Sequence, residues 1–132
     1  MENTSNERKK ILLVDDDEVH LTTVELFLKD EYEIYRAKSG DEALEYFFSY
    51  QFVPNLIMLD LIMPDKDGWE MLNRLKSIDL LKNVPVLFLT SVDDEDEKEK
   101  ALEFGVIHYI TKPFDKTLLK NIIKDIIGSS ES

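Results

Sequence analysis

The chain contains no cysteine. That excludes disulfide staples and thiolate metal sites, and it fits a reducing compartment, so a cytoplasmic protein is expected. Long apolar runs are missing too: none approaches the ~18 residues that a membrane-spanning helix requires. Met1-Glu2-Asn3-Thr4 lacks the apolar core of a signal peptide, so the Asn3-Thr4-Ser5 sequon is expected to be idle. Positive charge is scarce. With 16 Lys and Arg against 28 Asp and Glu, the formal net charge is −12, a poor match for a nucleic-acid backbone. No phosphate-cradling loop follows the first apolar run, and no P-loop is present. Internal repeats and low-complexity segments are also lacking.

What is present is a regular alternation. Its centre is Leu56-Ile57-Met58-Leu59, an apolar run that stops on Asp60 and leads through Leu61-Ile62-Met63 to Pro64. Such a run reads as a strand buried on both faces, with Asp60 at its C-terminal tip. Ile11-Leu12-Leu13-Val14 has the same form and ends on Asp15-Asp16-Asp17. Val86-Leu87-Phe88-Leu89 ends on Thr90-Ser91, and Val106 to Ile110 leads to Thr111-Lys112-Pro113-Phe114. Tyr32 to Ala37 alternates instead, as a half-exposed edge strand does.

Helical spacing follows each strand. Leu21, Val24, Phe27 and Leu28 mark the first helix, and Ala43, Leu44, Phe47 and Phe48 are expected on the inner face of the second. Asp65-Lys66-Asp67-Gly68 forms a turn before the third, which carries Trp69, Leu72 and Leu75. Asp93 is expected to cap the fourth, with Asp94–Lys98 and Asp96–Lys100 as supporting pairs and Gly105 as its end. Leu118, Leu119, Ile122, Ile123, Ile126 and Ile127 give the fifth a broad stripe, one flank of which suits dimerisation. Five strand–helix repeats in 132 residues imply one α/β domain with a doubly wound parallel sheet. Residues 1–9 are expected to be a disordered tail, 10–127 the domain and 128–132 a frayed end.

In a parallel sheet all C-terminal tips share one edge, where ligands of open α/β sheets bind. Here that edge gathers Asp15, Asp16, Asp60, Thr90 and Lys112. Any one of these alone is an ordinary loop or cap residue. Together, three close carboxylates repel unless a cation intervenes, and hard, oxygen-seeking Mg²⁺ is the natural guest. A carboxylate beside it acts as a nucleophile toward phosphorus, while the Thr90 hydroxyl and Lys112 ammonium hold phosphoryl oxygens. Phosphoryl transfer to Asp60 is the economical reading.

The pieces Ile11 to Asp16, Leu59-Asp60-Leu61-Ile62-Met63-Pro64 with Asp67-Gly68, Leu89-Thr90-Ser91 and Tyr109 to Phe114 resemble, in this order, a response-regulator receiver domain of two-component signalling. The likeness is to the chemotaxis-regulator kind and covers Lys10 to Ile127. It implies a flavodoxin-like (βα)5 fold with strand order 2-1-3-4-5. It implies that Asp60 accepts a phosphoryl group from the phosphohistidine of a sensor histidine kinase or phosphotransfer protein. Asp16 and Asp60 would ligate Mg²⁺ with the backbone carbonyl of Ile62, and Asp15 would act largely through water. Thr90 would move toward the phosphoryl group and Tyr109 would swing inward as the switch. The surface of helix four, strand five and helix five would then change its preference for a downstream target or a fused output domain, or promote homodimer formation. Neither direct nucleic-acid binding nor membrane association is implied. Lys112-Pro113 is expected to be cis. Ile62 and Val92 are apolar where the family often has polar groups, so restricted water access and a long-lived acyl phosphate are expected.

Other readings use the same residues. Asp15-Asp16-Asp17-Glu18-Val19 also fits a haloacid-dehalogenase-like phosphatase, with Asp15 as nucleophile and Asp17 as general acid, but no room is left for a flap before the first helix. A degenerate receiver that only binds partners would not need every site residue. Asp17 reads as a helix-start acid, Trp69 as packing, and His20 and His108 as surface or packing residues.

Overall fold

The computed structural model describes residues 8–63 and 67–128. The expected turn therefore lies partly outside the described residues, as do residues 1–7 and 129–132. Strands β1 (Lys10–Val14), β2 (Glu33–Ala37), β3 (Leu56–Leu59), β4 (Val86–Thr90) and β5 (His108–Thr111) alternate with α1 (Glu18–Leu28), α2 (Gly40–Tyr50), α3 (Gly68–Lys76), α4 (Glu95–Glu103) and α5 (Lys116–Ile127). All pairings are parallel, in the order β2-β1-β3-β4-β5.

Side chains alternate across the sheet with the period of two that strands impose. Ile11 and Leu13 of β1, Leu56 and Met58 of β3, and Leu87 and Leu89 of β4 pack with α1 and α5. Leu12, Val14, Ile57, Leu59, Val86 and Phe88 point the other way, into the layer that contains α2, α3 and Ala101 of α4. Three strands buried on both faces explain the unbroken apolar runs. Burying each such side chain stabilises by about 1.5–3 kcal/mol before entropy is counted. Tyr35 and Arg36 on the edge strand β2 remain half-buried.

Caps set the helix starts. Asp17, Ser39, Asp67, Asp94 and Asp115 each accept from backbone N–H groups of the following turn. Asp94, not Asp93, caps α4, since its carboxylate reaches the Glu97 N–H at 3.2 Å. With Asp94 so engaged, Lys98 pairs with Asp93 and Glu95, and Lys100 lies over the Trp69 ring. Gly105, at φ 95°, ends α4 in a conformation that favours glycine. β5 begins at His108, two residues later than the apolar run suggests, because Val106 N–H closes the helix end on Ala101 O at 3.0 Å. Phe48 is 63% exposed, so the inner face of α2 is Ala43, Leu44 and Phe47. On α5 only Leu119 and Ile123 are fully buried.

Candidate active site at the carboxyl edge of the sheet

The backbone ladder carries the site residues into register. Asp15 N–H donates to Ala37 O at 3.0 Å, Asp60 N–H to Val14 O at 3.0 Å, and Lys112 N–H to Thr90 O at 2.8 Å. Because Val14 is paired with Leu59, the residues immediately beyond them, Asp15 and Asp60, stand side by side. Asp15, Asp60 and Thr90 are buried, and Asp16 is exposed at the rim. One carboxylate oxygen from each of Asp15, Asp16 and Asp60 lies within 4.8 Å of the others.

Lys112 reaches into this group from beyond β5. Its Nζ, with the side chain only 7% exposed, donates to Asp15 Oδ2 at 2.6 Å and to Asp60 Oδ2 at 3.3 Å. The Lys112–Pro113 peptide is cis. Asp60 Oδ1 accepts from Ile62 N–H at 3.2 Å, and Thr90 Oγ1 from Val92 N–H at 3.3 Å, which fix the two loops. Gly68 belongs to the same construction. A Cβ there would lie 2.8 Å from Leu61 Cα and 2.9 Å from Asp60 O, so only glycine lets α3 start this close to the acceptor loop. Its N–H donates to Leu61 O at 2.7 Å.

Burial holds the Asp15 carboxyl above its ordinary range, opposed by the hydrogen bond from Lys112. Three carboxylates and one ammonium leave two formal negative charges at the site. An all-oxygen donor set with that deficit fits a hard divalent cation. Asp17 plays another part: its carboxylate caps α1, and the Val19 N–H bond lowers its proton affinity. A capping acid held ionised is a poor general acid, and α1 starts at the next residue, so the geometry disfavours the phosphatase reading.

Of the residues singled out in the sequence, Asp15, Asp16, Asp60, Thr90 and Lys112 converge. Ile62 lies at the rim, 62% exposed, and shares a depression with Val92, Trp69 and Glu97. Tyr109 is separate from the carboxylates: its hydroxyl donates to Val92 O at 2.6 Å, and its ring meets Phe88 edge-on. Trp69 packs edge-on against Phe88 and Phe104 and donates to Glu97 Oε2 at 3.0 Å. His20, read above as a surface or packing residue, is 42% exposed and also places Nδ1 2.8 Å from Lys112 Nζ. The signal for it was its place in the first turn of the helix that Asp17 caps, since that turn lies at the carboxyl edge.

The chain is similar to known proteins in sequence and in fold. Residues 11–124 match the family model described as the response regulator receiver domain. The chemotaxis protein CheY of Halobacterium salinarum is 36% identical over 120 residues, 90% of this chain and 97% of that protein. The alkaline phosphatase synthesis transcriptional regulatory protein PhoP of Bacillus subtilis is 37% identical over 124 residues, 93% of this chain and 50% of that protein. The chain thus spans nearly all of the chemotaxis protein and about half the length of the transcriptional regulators it matches. The crystal structure of the Mn²⁺-bound form of response regulator Rcp1 superposes with a TM-score of 0.73 at 34% identity, covering 91% of this chain and 90% of that one. By sequence, strand order and site composition, the chain belongs to the response-regulator receiver domains, the phosphoacceptor modules of two-component signalling.

Proposed function

We propose that Asp60 is the acceptor and that Lys112 and Thr90 receive the phosphoryl oxygens. The observation that carries this reading is the position of Asp60: buried, at the tip of the central strand β3, with the Lys112 ammonium 3.3 Å from Oδ2. An Asp60 carboxylate oxygen attacks phosphorus, and the bond from phosphorus to the imidazole nitrogen of a phosphohistidine breaks. The imidazole keeps the electron pair, and an aspartyl phosphate forms. Asp15, Asp16 and Asp60, with the Ile62 backbone carbonyl, would hold a divalent cation, Mg²⁺ in our reading. When bound, it supplies neutralisation of the clustered carboxylates and of the phosphoryl oxygens. Lys112 brings a fixed positive charge to the same oxygens, and Thr90 brings a hydroxyl at the end of β4.

In this reading the domain runs from residue 10 to 127 and serves as a signalling acceptor, not a dedicated enzyme. Its donor is a sensor histidine kinase or phosphotransfer protein. Tyr109, tied to the Val92 carbonyl of the β4–α4 loop, is the element that moves when Thr90 and that loop shift. The face of α4, β5 and α5 then changes its affinity for a protein target, a fused output domain or a second copy. Among the described residues no helix is long and apolar enough to cross a membrane; a cytoplasmic site of action is part of the proposal.

The test is intact mass after incubation with Mg²⁺ and acetyl phosphate. One added phosphoryl group on the wild type, lost in Asp60→Asn, is the expected result. An adduct that persists in Asp60→Asn, or steady hydrolysis abolished only by Asp15→Asn, would overturn it. The half-life of the same adduct checks the rim: Ile62→Asn should shorten it about tenfold by admitting a positioned water.

A further inference from the structure

The Lys112 ammonium has three protons, and three acceptors surround it. Asp15 Oδ2 is at 2.6 Å, His20 Nδ1 at 2.8 Å and Asp60 Oδ2 at 3.3 Å. An ammonium only donates, so His20 Nδ1 is the acceptor and its ring proton is on Nε2. The alternative, an Nδ1–H aimed at the nearby carboxylates, fits less well. Asp17 Oδ2 and Asp15 Oδ2 are at 3.5 and 3.6 Å, and two N–H donors would then face each other at 2.8 Å.

We propose that His20 is a positioning residue for phosphoryl transfer: with Asp15 it fixes the Lys112 ammonium so that the third proton is aimed at Asp60. This rests on the reading of Asp60 as acceptor. The two short bonds set the rotation about Cε–Nζ, and the longest contact is the one a phosphoryl oxygen on Asp60 would replace. A lysine is a flexible point charge, and a neighbouring acceptor supplies the directionality that its own geometry lacks. His20 itself touches no reacting atom. It lies in the first turn of α1, which Asp17 caps, so its backbone is fixed independently of Lys112.

The experiment compares His20→Leu, which removes the acceptor, with His20→Asn, which keeps one, each alone and with Lys112→Met. Adduct formation is followed by intact mass across a range of acetyl phosphate concentrations in Mg²⁺. His20→Leu should lower the saturated rate about five- to tenfold with the half-saturating donor concentration unchanged. His20→Asn should stay within about twofold of wild type, and His20→Leu should have no further effect when Lys112 is Met. Equal losses in Leu and Asn, a loss that persists without Lys112, or no loss at all would overturn the proposal. Should the wild type form no adduct, the acceptor reading fails first. The contact is then judged by proton exchange of the Lys112 ammonium in ¹⁵N NMR of the metal-free protein. Exchange faster in His20→Leu than in His20→Asn supports the positioning role; equal rates contradict it.

Discussion

The same strands end in two very different environments. At the amino edge of the sheet the ends are closed by hydrogen bonds to neutral acceptors. Lys10 N–H donates to Asn55 Oδ1 at 2.7 Å, Asn55 N–H returns to Lys10 O at 2.8 Å, and the Tyr32 hydroxyl donates to Gly128 O at 2.9 Å. At the carboxyl edge lie Asp15, Asp60 and Thr90, the buried polar and charged residues among those described. Between the two edges β1 from Ile11 onward and the whole of β3 are apolar. Among the described residues, buried carboxylates are confined to the edge where a cation would neutralise them, and the amino edge has none.

Substituting at each edge breaks or sharpens that contrast. The largest effect is expected from Gly68→Ala. Its new Cβ meets the Leu61 and Asp60 backbone at 2.8 and 2.9 Å, so the acceptor loop has to shift. A loss of about 2 kcal/mol in urea unfolding, with slower adduct formation, is the expected outcome. At the amino edge, Asn55→Ala removes the bond to Lys10 N–H and should cost about 1 kcal/mol in the same assay while leaving adduct formation unchanged.

Asp15→Asn should act in the opposite direction, raising stability by about 1 kcal/mol at pH 7 in chelator-treated buffer. The sign follows from the raised proton affinity of Asp15. Between the ordinary carboxylate range and its folded value, the native state binds more proton than the unfolded chain. Stability from this group is therefore present at acid pH and lost as pH rises through the folded value. The gain from Asn is thus full at neutral pH and fades on acidification, as thermal melts at several pH values would register. A gain that persisted at acid pH would mean burial of the Asp15 charge is not its source.

Most of the fold was legible because strand burial is written in runs. Four-residue apolar stretches ending on Asp15, Asp60 and Thr90 admit few arrangements other than central parallel strands. Convergence of their ends then follows from topology. The errors came where a local choice is decided by competition. Both Asp93 and Asp94 are good caps, and the Asp94–Glu97 spacing is the discriminating signal. Val106 is apolar enough for a strand, yet its N–H is taken by Ala101 O at the α4 end. Phe48 follows helical spacing next to Phe47 and still faces solvent, because α2 presents a narrow inner face. The first turn of α1 puts His20 at the carboxyl edge, but nothing in its own neighbourhood announces Lys112, 92 residues away. That contact is produced by the sheet, not by the local sequence.

The most direct test of the central claim is chemical. After phosphorylation with acetyl phosphate and Mg²⁺, borohydride reduction converts an aspartyl phosphate to homoserine, and peptide mapping locates it. The account predicts homoserine at position 60 and nowhere else. Homoserine at position 15, or a phosphorylated wild type with none at position 60, would contradict it.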